Sequence, residues 1–162
     1  MREIQLTQGY VALVSDKDYK RVSQYKWSAM RTRKTVYAQR AVKVEKNKWK
    51  IELMHRFILG VTDPAVQIDH EDRNGLHNWR RNIRRATHSQ NMMNRGKQCN
   101  NTSGETGVRW SKGRWVAEIK TDGKTRYLGS FNSKAQAVRV RREAAVKFHG
   151  EFRSSLCHSN QH

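Results

Sequence analysis

Asp69 and His70 are neighbours in the chain, Asn82 follows the histidine by twelve positions, and Asn91 follows the aspartate by twenty-two. A carboxylate suits a hard divalent cation, a neutral imidazole takes a proton from water, and amides fix geometry. These are the parts of a one-metal site for phosphodiester hydrolysis. An isolated Asp-His pair has a plainer reading too, a buried hydrogen-bonded histidine beside a surface carboxylate. Adjacent side chains of a regular strand point to opposite faces, so both groups serve one site only where the strand ends or bends. The loop that follows, with Asn74-Gly75 as a tight-turn signal, supplies such a place.

The chain of 162 residues carries 33 Lys plus Arg against 14 Asp plus Glu, a formal charge of +19 spread along its length. Such an excess opposes compaction by self-repulsion and points to a polyanionic partner, nucleic acid first. Charge alone equally fits a ribosomal or chromatin-like structural binder. No apolar run approaches the length of a membrane span, and MREIQLTQGY at the N-terminus lacks the apolar core of a signal peptide. The expectation is a soluble cytoplasmic protein with no membrane partner. Cys99 and Cys157 stand alone, without CxxC spacing, so free thiols are expected rather than a zinc knuckle or a disulfide.

The elements that must position the four residues are short. Residues 10–15, 26–30, 35–42 and 49–54 are rich in β-branched and aromatic side chains and read as strands of one small antiparallel sheet, with one apolar and one basic face. Trp27, Tyr37 and Trp49 are read as its core. A short helix capped by Ser15 or Asp16 is expected between the first two strands. Residues 55–61 read as a helix stopped by Gly60 and then Asp63-Pro64. A strand over 65–70, a polar loop, a strand over 83–87 and a helix capped by Thr87 or Ser89 make a ββα unit. Residues 97–105 are polar and read as a domain edge. Three strands follow, the last two joined at Asp122-Gly123, and then a helix from Asn132 or Ser133 to Gly150. On that helix Ala135, Val138, Ala145 and Phe148 are expected to face the sheet, with Arg139, Arg141 and Arg142 pointing elsewhere. The fold class is α+β.

The segments LMHRFILG (53–60), QIDH (67–70), NGLHN (74–78), RRNIR (80–84) and HSQNMMN (88–94) together resemble the HNH, or ββα-metal, endonucleases, particularly bacteriophage and intron-borne members. The resemblance implies His70 as general base, Asn82 as the residue that pins the loop, and Asp69 and Asn91 as metal ligands. It implies Mg²⁺ or Mn²⁺ as cofactor, with no structural zinc. His55 is left between a phosphate contact and a bracing role, and His88 and Asn94 are candidates for supporting the site. His77 stands where relatives often carry Asp, a departure without a catalytic reading. Arg84 or Arg85 is placed to assist at the phosphate.

Residues 103–152, with NTSGETGVRW, RWVAEIK, RYLGSF and AVRVRREAAVKFHGEF, look like the AP2/ERF DNA-binding domain, a three-stranded sheet with a packed helix. Such sheets read the major groove, which implies Arg109, Trp110, Arg114, Trp115, Lys120, Arg126 and Tyr127 as DNA contacts. Trp115 and Tyr127 equally read as core. Arg141 and Arg142 replace a Tyr-Asp pair common in that helix. The implied organisation is an endonuclease domain over 1–97 with its ββα core at about 65–95, a linker at 98–105, an AP2-like domain over 106–153 and a disordered tail at 154–162. The implied protein is a homing endonuclease cutting double-stranded DNA in a phage-infected bacterial host, a monomer or weak dimer with no small-molecule substrate. The alternative is a DNA-binding regulator whose nuclease half is degenerate.

Overall fold

The computed structural model describes residues 1–96 and 101–153. The expectations for Cys99, Cys157, the first part of the 98–105 linker and the 154–162 tail fall outside the described residues. The described chain mixes short helices with several small sheets. It divides into two compact units, residues 1–86 and 87–162.

In the first unit β1 (Arg2–Gln5) pairs antiparallel with β2 (Val11–Val14), whose alternation buries Ala12 and Val14. The next element, α1 (Asp16–Val22), has Ser15 at its N-cap. The Ser15 hydroxyl does not cap the helix; it accepts from the Arg80 backbone N–H at 2.9 Å. Then β3 (Ser28–Arg31), β4 (Val36–Glu45) and β5 (Lys48–Leu53) form a second antiparallel sheet. The single N-terminal sheet expected from the sequence is therefore two sheets. Each buries one face on a common core that includes Ile4, Val14, Val22, Trp27, Ala38, Met54 and Ile58.

Only part of the second sheet reaches that core. The register of β3 against β4 ends at Ser28 opposite Gln39, so from residue 40 onward β4 has β5 as its neighbour and, among the described residues, no strand on its other edge. Trp27 is buried, as its apolar neighbours require, and its ring N–H donates to the Val22 carbonyl at 2.9 Å. Trp49 is not core: it lies on the outer half of the hairpin and is 63% exposed. Tyr37 is only partly buried, because it stands at the edge where β4 meets the loop after β6.

Leu53 leads into α2 (Met54–Leu59), which ends where Gly60 takes a left-handed conformation (φ 62°) and returns its N–H to the Arg56 and Phe57 carbonyls. β6 (Gln67–His70) and β8 (Ile83–Ala86) pair antiparallel. Between them the loop contains a two-residue strand that the sequence does not signal, β7 (His77–Asn78), which pairs parallel with β2. Asn74-Gly75 forms the turn its signal indicates, closed by the His77 N–H on the Asn74 carbonyl at 3.1 Å, and Gly75 serves a second purpose. The left-handed residue of this loop is Arg73 (φ 66°), whereas a Cβ on Gly75 would lie 2.5 Å from both the Tyr37 ring and the Val36 carbonyl. The glycine lets the loop lie against β4.

A buried ion cluster ties α1 to this loop. Asp18 is almost fully buried and takes Arg80 bidentately, Nε to Oδ2 at 2.8 Å and Nη2 to Oδ1 at 2.9 Å, with Arg21 at 3.3 Å. The Ile58 carbonyl accepts from both arginines, so α1, the end of α2 and the loop meet at one point.

The second unit opens with α3 (His88–Met93), whose N-terminus has a full capping box: Thr87 accepts from the Gln90 N–H, and the Gln90 side chain accepts from the Thr87 N–H. β9 (Val108–Ser111), β10 (Arg114–Thr121) and β11 (Lys124–Phe131) form an antiparallel sheet in the order β11-β10-β9. Asp122 and Gly123 both have positive φ, as a two-residue hairpin of type I′ requires. α4 (Lys134–His149) packs on the sheet through Ala137, Ala144 and Ala145. Ala135 is exposed and Phe148 largely so, because the apolar stripe is set by the alanines that allow close approach. Arg141 is half-buried rather than turned away, and lies against Gly107, where a Cβ would meet its Nε at 2.5 Å.

Arg80 and Arg21 are 39% and 47% exposed, so removing the buried Asp18 carboxylate strands no buried charge and costs its charge-assisted hydrogen bonds, about 1–3 kcal/mol. Asp18→Ala is therefore expected to lower the stability of the first unit by about that amount, measured by urea unfolding, whereas Asp16→Ala on the exposed turn of the same helix should change it by less than about 0.5 kcal/mol.

Candidate active site

β6 ends at His70, and at that end the chain turns into the loop that Asn82 closes. Asn82 is buried and its amide is used fully. Nδ2 donates to Asp72 Oδ1 (2.9 Å) and to the His77 carbonyl (2.7 Å), and Oδ1 accepts from the Asp72 N–H (3.1 Å). Its backbone adds a bond from the Glu71 N–H and one to the Trp79 carbonyl. Asp72 is held below the ordinary carboxylate range: burial raises it, but bonds from the Asn74 backbone, His77 and Asn82 together outweigh that. His77 Nδ1 donates to Asp72 at 2.5 Å, its Nε2 accepts from the Asn74 amide at 3.0 Å, and its ring lies on Trp79. His77 thus braces the loop.

His70 is 6% exposed and Asp69 4% exposed. The amide of Asn78, buried on β7, donates Nδ2 to the Gly75 carbonyl and aims Oδ1 at His70 Nε2, 3.3 Å away. An amide oxygen only accepts, so this contact is a hydrogen bond in the tautomer that carries its proton on Nε2. Burial pushes the His70 imidazole below its ordinary value, and the Asn78 bond and the charges of Asp72 and Asp69 only partly offset this. The ring is neutral near pH 7, as a general base must be.

Two further rings complete this side. His55 on α2 meets His70 edge-on with centroids 5.1 Å apart, and Tyr37 lies 5.6 Å from His55 and 5.8 Å from His70. Burial, then the neighbouring His70 and Arg56, push His55 down to about 3. A histidine this buried stays neutral and packs against His70. Burial and then the Asp69 charge raise the Tyr37 hydroxyl above its ordinary value. It stays a neutral donor beside the site.

Asp69 faces β8. Its Oδ2 accepts from Arg84 Nε at 2.9 Å and pairs with Arg84 Nη2 at 2.8 Å, which follows from the register that sets Asp69 opposite Arg84. Arg85, next along β8, is exposed. Among the described residues no group of three or more His, Cys, Asp and Glu side chains could cage a metal. A single buried carboxylate beside a neutral imidazole suits instead a cation such as Mg²⁺ or Mn²⁺, which keeps its waters and takes oxygens from the substrate. Asp69, His70 and Asn82 are brought together within the first unit. Asn91 and His88 lie on α3 and the buried Asn94 at its C-cap, in the second unit.

The seven candidate contacts of the second unit divide between two faces of its sheet. Arg109, Arg114, Lys120 and Tyr127 share the face away from α4, and Tyr127 is 66% exposed. Trp110, Trp115 and Arg126 are on the α4 side: Trp115 packs on the core, Trp110 meets it edge-on, and Arg126 lies over Phe148. Strand parity decides this, with a bulge between Ala117 and Glu118 that shifts the register of β11. Sequence reasoning missed Asn78, Tyr37 and Asp72. Asn78 alone left a trace, as the last residue of NGLHN.

The folded state holds His55 neutral down to about pH 3, while the unfolded chain protonates it near 6.5. Stability contributed by the buried neutral ring is therefore present above about 6.5 and is lost as pH falls through the window below it. A melting series from pH 7 to 4 should show Tm falling, with a shallower fall in His55→Phe.

No family model matches the chain, and no solved structure gives a significant match. A protein of Acanthamoeba polyphaga mimivirus that carries the name uncharacterized HNH endonuclease is 29% identical over 150 residues, 89% of this chain and 73% of that one. This similarity over most of the chain supports an HNH endonuclease.

Proposed function

We propose that the protein is a metal-dependent HNH endonuclease of homing type that hydrolyses phosphodiester bonds in double-stranded DNA. The single observation that carries the reading is His70 at the end of β6, buried, neutral, and oriented through Nε2 by Asn78. Asp69 is the ligand proposed within the first unit for Mg²⁺ or Mn²⁺, which when bound would supply charge stabilisation at the phosphate and the 3′ oxygen.

His70 Nδ1 takes a proton from a water molecule as its oxygen attacks phosphorus. The bond to the 3′ oxygen breaks, leaving a 3′-hydroxyl and a 5′-phosphate. Asn82 keeps the loop closed so that the ring does not swing away from the phosphate. Arg84 pairs with Asp69 in the free protein and is the proposed contact to a phosphate oxygen when the site fills. Arg109, Arg114, Lys120 and Tyr127 form the proposed DNA face of an AP2-like unit.

The Asp69–Arg84 pair also suits the second reading, a DNA-binding regulator in which the arginine has permanently taken the place of a cation. Supercoiled plasmid separates the two. With Mg²⁺ or Mn²⁺ at low salt, the wild-type chain should yield relaxed or linear DNA, and His70→Ala should lose about 10²- to 10⁴-fold in rate. Plasmid that is bound but stays supercoiled, or a His70→Ala variant as active as wild type, would overturn the nuclease reading.

A further inference from the structure

The outer half of the β4–β5 hairpin is built unlike any other part of the first unit. Beyond residue 39 it is a two-stranded ribbon, and from Lys43 to Ile51 every side chain is exposed. Cross-strand pairing puts Ala41 opposite Ile51 and Lys43 opposite Trp49, so one face carries Trp49 and Ile51, 63% and 54% exposed, together with a lysine. Val42 and Lys50 pair on the other face, and Lys46 sits in the turn. Of the ribbon's two carboxylates, Glu52 is held by Arg40 at 2.6 Å and Glu45 by Lys48 at 3.5 Å. Lys43, Lys46 and Lys50 have no carboxylate partner among the described residues.

We propose that this ribbon is a second DNA-binding element, lying in the major groove with the Trp49–Ile51 face toward the base edges and the lysines at its rim and tip toward the phosphates. The major groove, about 12 Å wide, admits a two-stranded β-ribbon, and apolar side chains read thymine methyl groups there. A second copy of the chain would bring the same uncompensated lysines and repel. The ribbon is also continuous with the candidate site, since β5 runs into α2 and His55 of α2 packs on His70. Trp49 to Leu53 is four strand steps, roughly 13 Å. With 3.4 Å per base pair that span alone is about four base pairs, so the contact is placed to one side of the bond that His70 addresses. This position rests on the nuclease reading; the contact itself does not.

Binding of the full chain to a mixed-sequence DNA duplex, measured in EDTA so that no cleavage occurs, tests it. Trp49→Ala should weaken binding by about tenfold or more. Lys43→Gln with Lys50→Gln, which touches no packing, should reduce the slope of log affinity against log salt by about 0.9 per lysine. Lys17→Gln on the exposed side of α1 should change neither. Wild-type affinity and slope in both ribbon variants would overturn the proposal, as would loss of self-association or of anionic-vesicle binding with DNA affinity unchanged. A wild-type chain that binds DNA in EDTA but never cuts it in Mg²⁺ would sink the nuclease reading and leave the ribbon result standing.

Discussion

The side chain of Asn82 is the constraint on which the candidate site depends. A buried primary amide is costly unless its donors and acceptor are all used, and here both Nδ2 hydrogens and Oδ1 are bonded across the loop. The loop between β6 and β8 is long and polar, without a core of its own. Closing it through Asn82 fixes Asp72, which orders His77 and Asn74, and brings β7 alongside β2. Once β7 is seated, Asn78 is committed to the Gly75 carbonyl on one side and His70 on the other. The group that faces His70 Nε2 is thereby set by the loop rather than by the strand that carries the ring.

A chain with this much positive charge has few carboxylates, and two of those in the first unit are buried against arginines. Asp18 holds two arginines and Asp69 one, both inside the fold, while Glu52 holds Arg40 among the rings of Tyr25, Trp27 and Phe57. Most of the other lysines and arginines are at the surface, where like charges repel. The second unit packs its helix on three alanines and lets Arg141 fill space beside Gly107.

The order of elements was legible in the sequence because it rests on local rules. Gly60 ends α2, Thr87 caps α3, Asp122-Gly123 turns the second hairpin, and β-branched runs give the strands. The pairing of Asp69 with His70, and the twelve- and twenty-two-residue spacings beyond them, were likewise readable as the parts of a site. Other readings fell short for want of tertiary information. Trp49 looked like core because it is aromatic in a strand, but β3 is too short to cover that half of β4. Gly75 sits in the turn its signal indicates, but the close approach of Tyr37 is a second reason for glycine that no local pattern records. Of the stripe expected on α4, Val138 and Ala145 pack on the sheet while Ala135 and Phe148 do not, because small alanines set the distance to the sheet.

The sequence by itself determined the chemical inventory, the charge, and the strands, turns and helices, since each depends on residues a few positions apart. Only the tertiary structure decided that Asn78 faces His70 Nε2, that Asp69 meets Arg84, that His55 is buried against His70, and that Trp49 stands in solvent. The physical reason is common to all four. Burial, register and hydrogen-bond partnership are set by residues distant in the chain, such as Asn78, Arg84, Tyr37 and the short edge of β3, and no local pattern around the affected residue records them.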